Sequence, residues 1–433
     1  MADNNLALFD SPNVGTHVHA GSLYHRRSSC RLCAQDKLTN VFSLAPTPLA
    51  NAFVRDDAVE RKQHLYPLDV FFCDGCGHLQ LLDVVDPVAL YGHYVYVSGT
   101  SPVFVRHFGD YAKYVIESFR PPAAGLVVDI ASNDGTLLRF FKDAGHRILG
   151  VDPARQIASQ ATASGVPTVV EFFTPEVADR IRAQHGPASV VTANNVIAHV
   201  DDLASFMEGV RRLLADDGVF VFEVSNLSDV VENTLFDMIY HEHLDYHSVK
   251  PLMGFFARCG LEMIEAICVD SHGGSLRGVV QHKGGPRPIG ASVGHALARE
   301  QELRLGEAET FQKFAAHIES LKFELVGLLR RLKAQGKRIA GFGAPAKTTT
   351  LMYHFGIERE MLDFIVDDSP LKQGHYTPGM HIPVVPATHM YENRPDYLLI
   401  LAWNFADPIM AKQAAFREGG GRFIVPLPKV MVV

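Results

Sequence analysis

Short apolar runs alternate with segments of helical period from about residue 125 onward. GLVVDIASNDGTLLRFFKDAG (125–145) is an apolar run, a turn of small and polar residues and then a helix, and ILGVDPARQIASQATASG (148–165) repeats this plan. ASVVTANNVIAHVDD (188–202) and GVFVFEVS (218–225) supply further strands. Strands that alternate with helices indicate a doubly wound α/β domain, whose ligand lies at the carboxyl ends of the strands.

The last third of the chain shows the same alternation. Residues 295–335 carry apolar positions at helical spacing, and Gly336 is placed to end that helix. KRIAGFGAPAKTTTLMYHFG (337–356) then reads as strand, glycine turn and helix, and later strands are expected in DFIVDDSPLKQG, YLLILAWNFAD and RFIVPLP. The pattern predicts a second α/β domain of Rossmann-like type.

Four cysteines near the N-terminus form two CxxC pairs, Cys30 with Cys33 and Cys73 with Cys76. Two residues between ligands let a tight turn aim two thiolates at one ion, and Gly75 suits such a turn. A redox CxxC is the alternative, but it would explain one pair and leave the other unexplained. The pattern favours a zinc ribbon whose four thiolates fill the coordination shell, so that the metal is structural.

Composition restricts the class of protein further. The 433 residues suggest roughly three domains, and the formal net charge of −8, without runs of like charge, argues against nucleic acid as a partner. The N-terminus lacks the apolar stretch of a secretory signal, and no apolar run reaches the roughly 18 residues of a membrane span. We therefore expect a cytoplasmic protein with reduced thiols, in which Cys259 and Cys268 belong to the core.

The first α/β unit indicates its ligand. Asp129 closes the first strand, and Asp152 follows the second strand about 23 residues later, where a carboxylate accepts ribose hydroxyls. This spacing fits a nicotinamide cofactor or S-adenosylmethionine. The turn lacks GxGxxG, and Asp129 would repel phosphates but suits a cationic amino acid, so S-adenosylmethionine is favoured. Asp134 in the turn also reads as a helix cap. The predicted cofactor-binding residues are Asp129, Ala131, Asn133, Gly135, Asp152, Asn194 and Asn195.

IYHEHLDYHS (239–248) concentrates proton-handling side chains in ten positions. Buried tyrosine, glutamate and histidine side chains each need a hydrogen-bond partner, so such a cluster is costly unless it is used.

The order of six motifs resembles that of the sugar C-methyltransferases, from about residue 28 to the C-terminus. The motifs are CxxC…CxxC, DIASNDGTLL, NNVIAHVDD, YHEHLDYHS, SHGGSLR and GFGAPAK. Members of this family methylate a carbon of a nucleotide-linked ketodeoxysugar, with dTDP a common carrier. The resemblance implies an N-terminal tail (1–27), a zinc-binding domain (28–90), an S-adenosylmethionine-binding domain (91–285) and a C-terminal Rossmann-like domain (286–433). It also favours a monomer.

The resemblance assigns five residues to the active site. Tyr240, Glu242 and His243 match the Tyr-x-Glu-His of the family, His199 matches the histidine of NNVxAHV, and Tyr94 matches a tyrosine that reaches the substrate. Methylation beside a ketone needs a base and a group that stabilises the enolate. We expect His243 to be the base, Tyr240 and Tyr94 to donate to the oxyanion, and Glu242 to orient an imidazole, with His199 a possible partner.

Other interpretations of this stretch stay open. His243 and His247 stand at i, i+4 and would share a helix face as metal ligands, although Asp245 replaces the second histidine of HExxH. His241 and His247 read better as surface or supporting groups than as catalysts. Tyr240 and His243 could also be polar members of the core.

The second α/β unit offers contacts to a substrate diphosphate. Gly341 and Gly343 let backbone amides face an anion at a helix N-terminus, and Lys347 adds a cation. Gly343, Lys347 and Lys372 are the predicted contacts here. Asp367 stands where a Rossmann fold binds ribose, so a nicotinamide-dependent oxidoreductase or epimerase is a second function class.

SHGGSLR (271–277) matches a segment that borders the substrate cleft in the family. Ser275 and Arg277 are therefore predicted to contact the sugar or phosphate, with a surface ion pair as the alternative for Arg277. A non-catalytic nucleotide-sugar binder and a sugar O-methyltransferase complete the set of alternatives.

Overall fold

The computed structural model describes the chain in segments, which are residues 23–87, 90, 99, 102–271 and 273–433. Its strands form four sheets, of which two build an N-terminal module, one a central domain and one a C-terminal domain.

The N-terminal module is built from short antiparallel strands. Its elements are β1 (Tyr24–Arg26), β2 (Leu38–Thr47), a 3-10 turn (Asp56–Ala58), β3 (Tyr66–Cys73), β4 (Leu79–Leu81) and β5 (Asp83–Val85). Strands β2, β3 and β4 form one sheet, and β1 pairs with β5. The sheet gains a fourth strand from far along the chain, Asp245–Tyr246, which pairs with β4. The cluster IYHEHLDYHS is thereby attached to the zinc module.

The central domain is the α/β unit predicted from the first apolar repeats. Its strands are β6 (Leu126–Ile130), β7 (Arg147–Val151), β8 (Thr168–Val169), β9 (Ala188–Asn194), β10 (Leu214–Ser225), β11 (Asp245–Tyr246), β12 (Leu261–Val269) and β13 (Ser275–His282). Its helices are α1 (Pro102–Phe119), α2 (Thr136–Asp143), α3 (Arg155–Ala163), α4 (Pro175–His185), α5 (Leu203–Leu213), α6 (Leu227–Glu232), a 3-10 turn (Phe236–Met238) and α7 (Val249–Arg258).

Seven strands of this domain form one sheet in the order β12-β13-β10-β9-β6-β7-β8. All are parallel except β13, which runs antiparallel between β10 and β12. Strand β6 is buried along its whole length, which explains its continuous apolar run. The strand order reverses between β6 and β9, so a ligand crevice is expected at their carboxyl ends.

The C-terminal domain begins with helices and continues as the second α/β unit. Its helices are α8 (Ala291–Glu302), α9 (Ala308–Ala334), α10 (Lys347–Phe355), α11 (Thr388–Asn393), a 3-10 turn (Trp403–Phe405), α12 (Ala406–Lys412) and α13 (Ala414–Glu418). Its strands are β14 (Ile339–Phe342), β15 (Ile365–Val366), β16 (Val384–Val385), β17 (Tyr397–Ile400), β18 (Arg422–Val425) and β19 (Met431–Val432).

The sheet order in this domain is β16-β15-β14-β17-β18-β19, parallel except for β19. This is the Rossmann order, with its reversal between β14 and β17. The predicted helical segment is two helices, and Gly336 follows the second in the left-handed region at φ 70°, as predicted.

One apolar cluster joins the N-terminal module, the C-terminal domain and the part of the central domain from α6 to β11. It includes Phe42 and Leu68 of the N-terminal module, Phe236 of the central domain, and Phe311 and Leu351 of the C-terminal domain. The three parts therefore pack as a unit around the residues that follow Phe236. Among the described residues, none of the helices combines the length and the apolar character that crossing a bilayer requires.

Candidate active site

The four cysteines of the N-terminal module converge on one point. Their sulfur atoms lie within 4.8 Å of one another, with Cys30 Sγ 3.7 Å from Cys76 Sγ and Cys33 Sγ 3.4 Å from Cys73 Sγ. Zinc–sulfur bonds of about 2.3 Å in a tetrahedron separate the sulfurs by about 3.8 Å, so this arrangement fits zinc. Four thiolates leave no open coordination position, and the zinc is structural.

Each CxxC pair is closed by a backbone hydrogen bond. The amide of Ala34 donates to the carbonyl of Cys30 (2.9 Å), and the amide of Gly77 donates to that of Cys73 (2.8 Å). Both donors have left-handed φ values, 60° and 81°. Gly77 rather than Gly75 supplies the special backbone. Position 75 has no room for a larger residue, because an added Cβ would lie 1.9 Å from a glutamine side-chain oxygen.

The two remaining cysteines differ from each other. Cys259 is half-buried and packs against the central core, in line with its prediction. Cys268 is exposed, so its assignment to the core was wrong. The reason is its position near the end of β12, which is an edge strand of the seven-stranded sheet.

Two buried aspartates lie where the sequence predicts that S-adenosylmethionine, the methyl donor, binds. Asp129 Oδ1 accepts a hydrogen bond from Thr192 Oγ1 (2.6 Å). Burial raises the pKa of Asp129 to about 7, with Thr192 opposing and Asp152 reinforcing the shift. The Asp152 carboxylate accepts from the backbone amides of Asn133 and Ala154, each at 2.8 Å. It is fixed beside the turn where a nucleoside is expected.

The turn after β6 is held by residues in the left-handed region. Ala131, Asn133 and Gly135 have φ values of 56°, 52° and 76°. Ala131 is the first residue of this turn, and its backbone adopts the left-handed conformation that glycine favours. Asp134 is not the N-cap of α2, which is Gly135, but it closes the turn before the helix, because its Oδ1 accepts from the amide (3.2 Å) and the hydroxyl (2.7 Å) of Thr136.

Strand β9 brings a third polar group to this edge. Asn194 is its last residue, and its Oδ1 atom is buried without a hydrogen-bond partner among the described residues. Asn195 has φ 54° and donates its amide to the carbonyl of Glu223 (2.8 Å). The residues predicted to bind S-adenosylmethionine therefore share one edge of the sheet, although their contacts with this cofactor remain predictions.

Tyr240 and His243 form a hydrogen-bonded pair. Tyr240 Oη lies 3.0 Å from His243 Nε2, and His243 Nδ1 lies 2.7 Å from the carbonyl oxygen of Met238. A carbonyl can only accept, so Nδ1 carries the proton and Nε2 accepts from the tyrosine. The ring of His199 meets that of His243 edge to face, with centroids 4.9 Å apart.

Glu242 faces the N-terminal module. Its Oε1 accepts from Asn51 Nδ2 (2.8 Å), and burial raises its pKa to about 7 against the opposing effect of that bond. His199, the partner suggested by the sequence, contacts the backbone of Glu242, and burial lowers the pKa of His199 to about 4. Tyr94 lies outside the described residues.

His241 and His247 are supporting groups inside the protein. His241 Nε2 lies 3.2 Å from the carbonyl of Pro67, and His247 Nε2 lies 3.3 Å from that of Ile197. Burial lowers the pKa of each to about 4. The surface alternative was wrong for both. The metal-ligand alternative required a helix, whereas residues 241–247 form a turn and a short strand.

The glycine turn of the C-terminal domain is tight. Gly343 has φ 90°, and a Cβ there would lie 2.5 Å from that of Ala402. The next amide, of Ala344, donates to Asp367 Oδ2 (2.7 Å), while Lys372 Nζ donates to the carbonyl of Ala344 (2.9 Å). Lys372 and Gly343 thus lie together at the carboxyl edge of this sheet, and their contacts with a substrate remain predictions.

The side chain of Lys347 does not join Asp367 and Lys372 but lies against Asp237 of the central domain. Its ammonium is buried 3.4 Å from Asp237 Oδ2 and 4.3 Å from the centroid of the Trp403 ring, whose Nε1 donates to the same aspartate (2.7 Å). Burial lowers the pKa of Lys347 and raises that of Asp237. One turn further, Thr350 Oγ1 donates to the carbonyl of Ile239 (2.7 Å). Helix α10 therefore holds the residues that lead into Tyr240, and the diphosphate contact of Lys347 remains a prediction.

Ser275 and Arg277 begin strand β13. Ser275 Oγ donates to a backbone carbonyl of the preceding loop (3.1 Å). Arg277 Nε donates to Glu223 Oε1 (2.7 Å), His107 Nε2 lies 2.6 Å from Glu223 Oε2, and the guanidinium lies 4.5 Å from the centroid of the Tyr111 ring. The ion-pair alternative for Arg277 is present, but it is buried rather than on the surface.

Several residues of the site were not found from the sequence. Asn51, Glu223 and Asp237 contact predicted residues from segments distant along the chain, and His107 contacts Glu223. None of the four stands in a motif, and a single buried aspartate or glutamate in an apolar run is the signal that could have identified Asp237 and Glu223.

Three family models match consecutive parts of the chain. A putative zinc-binding domain matches residues 30–91, a methyltransferase domain matches 106–266, and a C-methyltransferase C-terminal domain matches 270–428.

Individual proteins also match. The chain is 36% identical over 404 residues to the C-methyltransferase NovU of Streptomyces niveus, covering 93% of this chain and 96% of that protein. It is 32% identical over 104 residues to a ubiquinone biosynthesis O-methyltransferase of a Methylobacterium species. This match covers 23% of this chain and 41% of that protein. A solved S-adenosylmethionine-dependent methyltransferase from Clostridium acetobutylicum matches at 12% identity and TM-score 0.34, over 41% of this chain and 92% of that one.

Proposed function

The chain belongs to the sugar C-methyltransferase family, and from this premise we propose which acceptor it methylates and how. The acceptor is a nucleotide-linked 4-ketodeoxysugar, with dTDP as the carrier, and the reaction passes through an enolate. The observation that carries the proposal is the Tyr240–His243 pair, with Nδ1 of His243 fixed on the carbonyl of Met238. This arrangement presents one imidazole lone pair beside one phenol.

The donor occupies the edge formed by β6, β7 and β9. S-adenosylmethionine supplies an electrophilic methyl group there. Asp152 is held by two backbone amides and accepts the ribose hydroxyls, while the Asp129 carboxylate faces the cationic amino-acid group. The side-chain oxygen of Asn194, which has no partner among the described residues, offers a further acceptor.

His243 removes the proton from the carbon beside the ketone. The bound sugar takes the place of the Tyr240 hydroxyl at Nε2, so that the lone pair faces the C–H bond. The carbon–hydrogen bond breaks, the proton goes to Nε2, and the electron pair becomes the enolate. The enolate carbon then forms its bond to the methyl group, and the carbon–sulfur bond breaks toward sulfur.

The displaced hydroxyl of Tyr240 has a new acceptor in the developing enolate oxygen. A donor that strengthens its bond as charge develops lowers the barrier to enolate formation. Tyr94 is proposed as a second donor. Glu242 has a pKa near neutrality and is fixed by Asn51, so it balances the charge that His243 acquires.

The nucleotide extends toward the C-terminal domain. Lys372 has the more accessible of the two ammonium groups near Gly343, with its side chain 26% exposed against 8% for Lys347. We therefore assign the main diphosphate contact to Lys372, and a sugar or phosphate contact to Ser275 with Arg277. The resemblance to the family favours a monomer, and four zinc thiolates suit the reducing cytoplasm.

Deuterium exchange tests the proposal without methyl transfer. Wild-type protein in heavy water, with the ketosugar nucleotide and S-adenosylhomocysteine, should place deuterium on the carbon beside the ketone. His243→Ala should not do so, and should lose roughly 10² to 10⁴ in kcat while both substrates still bind. Tyr240→Phe should slow exchange less, because the base stays in place. Exchange at the wild-type rate in His243→Ala would move the base elsewhere in the cluster.

The acceptor class has its own test. With S-adenosylmethionine and a panel of ketosugar nucleotides, one panel member should gain the mass of a methyl group on carbon. Methylation only of a hydroxyl, or no product with any nucleotide-linked ketosugar, would exclude the proposed acceptor.

A further inference from the structure

Arg31 lies inside the first zinc knuckle, between Cys30 and Cys33, and its side chain is fully buried. Its Nε donates to Asp201 Oδ1 (3.0 Å) and lies 3.8 Å from Asp245 Oδ2. One guanidinium therefore contacts carboxylates from two segments that are far apart in sequence. A further nitrogen, Nη1, donates to the carbonyl of Leu81 in the zinc module.

Both carboxylates stand two residues from a proposed catalytic histidine. Asp201 follows His199, and Asp245 follows His243. The two segments also bond directly, since the amide of Leu244 donates to the carbonyl of Ala198 (2.7 Å). The separation of the His199 and His243 rings is thus set by a small unit to which Arg31 adds the contact from the zinc module.

The N-terminal module, which holds the zinc site, contacts the segment of His243 and Asp245 at more than one point. Strand β11, which contains Asp245, pairs with β4, and His78 Nε2 lies 2.6 Å from Asp245 Oδ1. His78 stands two residues after Cys76, and its carbonyl accepts a hydrogen bond from the amide of Cys73 (2.8 Å). Each knuckle therefore contributes one side chain, Arg31 or His78, to the carboxylate beside the catalytic segment.

We propose that Arg31 is a positioning residue that transmits the geometry of the zinc knuckle to His199 and His243. The zinc site then has a second role besides folding, which is to fix the two imidazoles relative to each other. This inference rests on the proposed roles of the two histidines. A misplacement of about 1 Å from a distant change can cost about 10² in rate, so a buried guanidinium at this point suffices for a large effect.

Arg27 provides the matched control. It also bonds Asp201, with Nη1 3.0 Å from Oδ1, but its side chain is 24% exposed, and the carboxylate it contacts is that of Asp201 rather than Asp245. Arg27→Met and Arg31→Met remove the same kind of contact with Asp201. Only Arg31→Met also removes a contact with Asp245, which lies in the segment of His243.

The experiment compares Arg31→Met, Arg31→Lys and Arg27→Met in the zinc-loaded protein. Arg31→Met should lower kcat about 10²-fold, while the Kd for S-adenosylmethionine and the zinc content stay within about twofold of wild type. Arg31→Lys should regain part of the rate, and Arg27→Met should stay near wild type. In nitrogen-15 spectra of labelled histidine, the protected Nδ1 proton of His243 should be lost in Arg31→Met alone.

Two results would overturn the inference. The first is a His243 signal and a kcat in Arg31→Met that match those of Arg27→Met. The second is parallel loss of zinc, donor binding and activity, which would make Arg31 a folding residue. If Arg31→Met is insoluble, Asp245→Asn breaks the same link from the other side and should show the same loss of the His243 signal. The spectra remain informative even if the wild type methylates no ketosugar, so failure of the inference and failure of the proposed function are distinguishable.

Discussion

The central and C-terminal domains use the same local construction at the ends of their first strands. Strand register makes Ala131 equivalent to Gly343, because Ile130 pairs with Val151 and Phe342 pairs with Val366. In both domains the residue after the second strand is an aspartate that accepts two backbone amides. Asp152 accepts from Asn133 and Ala154, and Asp367 from Ala344 and Ser369, all within 2.7 to 2.8 Å.

The difference lies in what surrounds this construction. The central domain carries the buried Asp129 where the C-terminal domain has Gly341. Helix α10 of the C-terminal domain begins with Lys347, whose ammonium pairs with Asp237, three residues before Tyr240. Local pattern alone therefore does not assign a ligand. The same strand, turn and helix are proposed to bind S-adenosylmethionine in the central domain, and they hold a neighbouring segment in the C-terminal domain.

Among the variants that test the difference between the two domains, removal of the Lys347 ammonium should change the free energy of unfolding most. Lys347→Met leaves Asp237 buried without its cation, and breaking a buried pair in this way costs about 3 to 5 kcal/mol of unfolding free energy. Denaturant unfolding measures it. Lys372→Met, at the edge of the same turn and partly exposed, should cost less than about 1 kcal/mol.

A double variant separates the pair from general packing. Lys347→Met combined with Asp237→Asn should recover part of the loss, because no uncompensated charge remains. Equal costs for Lys347→Met and Lys372→Met would show that the buried pair is not what distinguishes the C-terminal turn.

The two equivalent aspartates should differ in donor binding. Asp152→Ala should weaken S-adenosylmethionine binding by about 1.5 to 3 kcal/mol, the range for hydrogen bonds to a charged group. Asp367→Ala removes the same two backbone contacts in the other domain and should leave donor affinity unchanged. Calorimetry of both variants is the measurement. Equal losses in the two would contradict the assignment of the donor to the central domain.

Asp129 should make donor affinity depend on pH. Its pKa in the folded protein is raised by burial to about 7, so below that value binding of a cation must first release a proton. The Kd should fall about tenfold per pH unit as pH rises toward 7, which is about 1.4 kcal/mol, and then level off. Asp129→Asn should bind weakly at every pH, and a slope that persists in it would assign the proton to another group.

The same group has a defined sign in stability. Its pKa is raised from 3.8, so the folded state binds the proton more tightly than the unfolded chain does between these values. The contribution is complete below the unfolded pKa and is lost as pH rises through about 7. The stability difference between wild type and Asp129→Asn should therefore shift against wild type as the pH rises through that window.

The smallest effect is expected at the first residue of the central turn. Ala131 holds φ 56° without being glycine, a conformation that costs about 1 to 2 kcal/mol, while glycine loses part of that gain as chain entropy. Ala131→Gly should raise unfolding free energy by at most about 1 kcal/mol. Ala344→Gly, one residue into the other turn and buried, should lower it. Destabilisation by Ala131→Gly would show that the alanine methyl has a packing role.

Much of the fold could be predicted because the apolar periodicity is strong. The strands in LVVDI and IAGF, the long helix before Gly336, and the four-cysteine centre all follow from local pattern. Strands β12 and β13 were not predicted. They are antiparallel partners at the sheet edge, and their sequence lacks the turn and helix that mark the parallel units.

The site was predicted only in part. Asp129, Asp152, Tyr240 and His243 stand in motifs, and the structure brings the first two to one edge and the last two into contact. The partners that fix them could not be read locally. Glu242 bonds Asn51, 191 positions away, and a hydrogen bond over such a distance leaves no periodic trace in the sequence.

The kind of chemistry that the chain carries follows from its residues, since thiolates, carboxylates and imidazoles at fixed spacing restrict the ions and groups they can bind. Where each charge finds its partner depends on the tertiary structure. Lys347 is a cation at a helix N-terminus in either description, but its burial against Asp237 depends on two domains packing together. Burial and pairing set the pKa and the direction of a side chain, and both arise from neighbours that the local sequence does not contain.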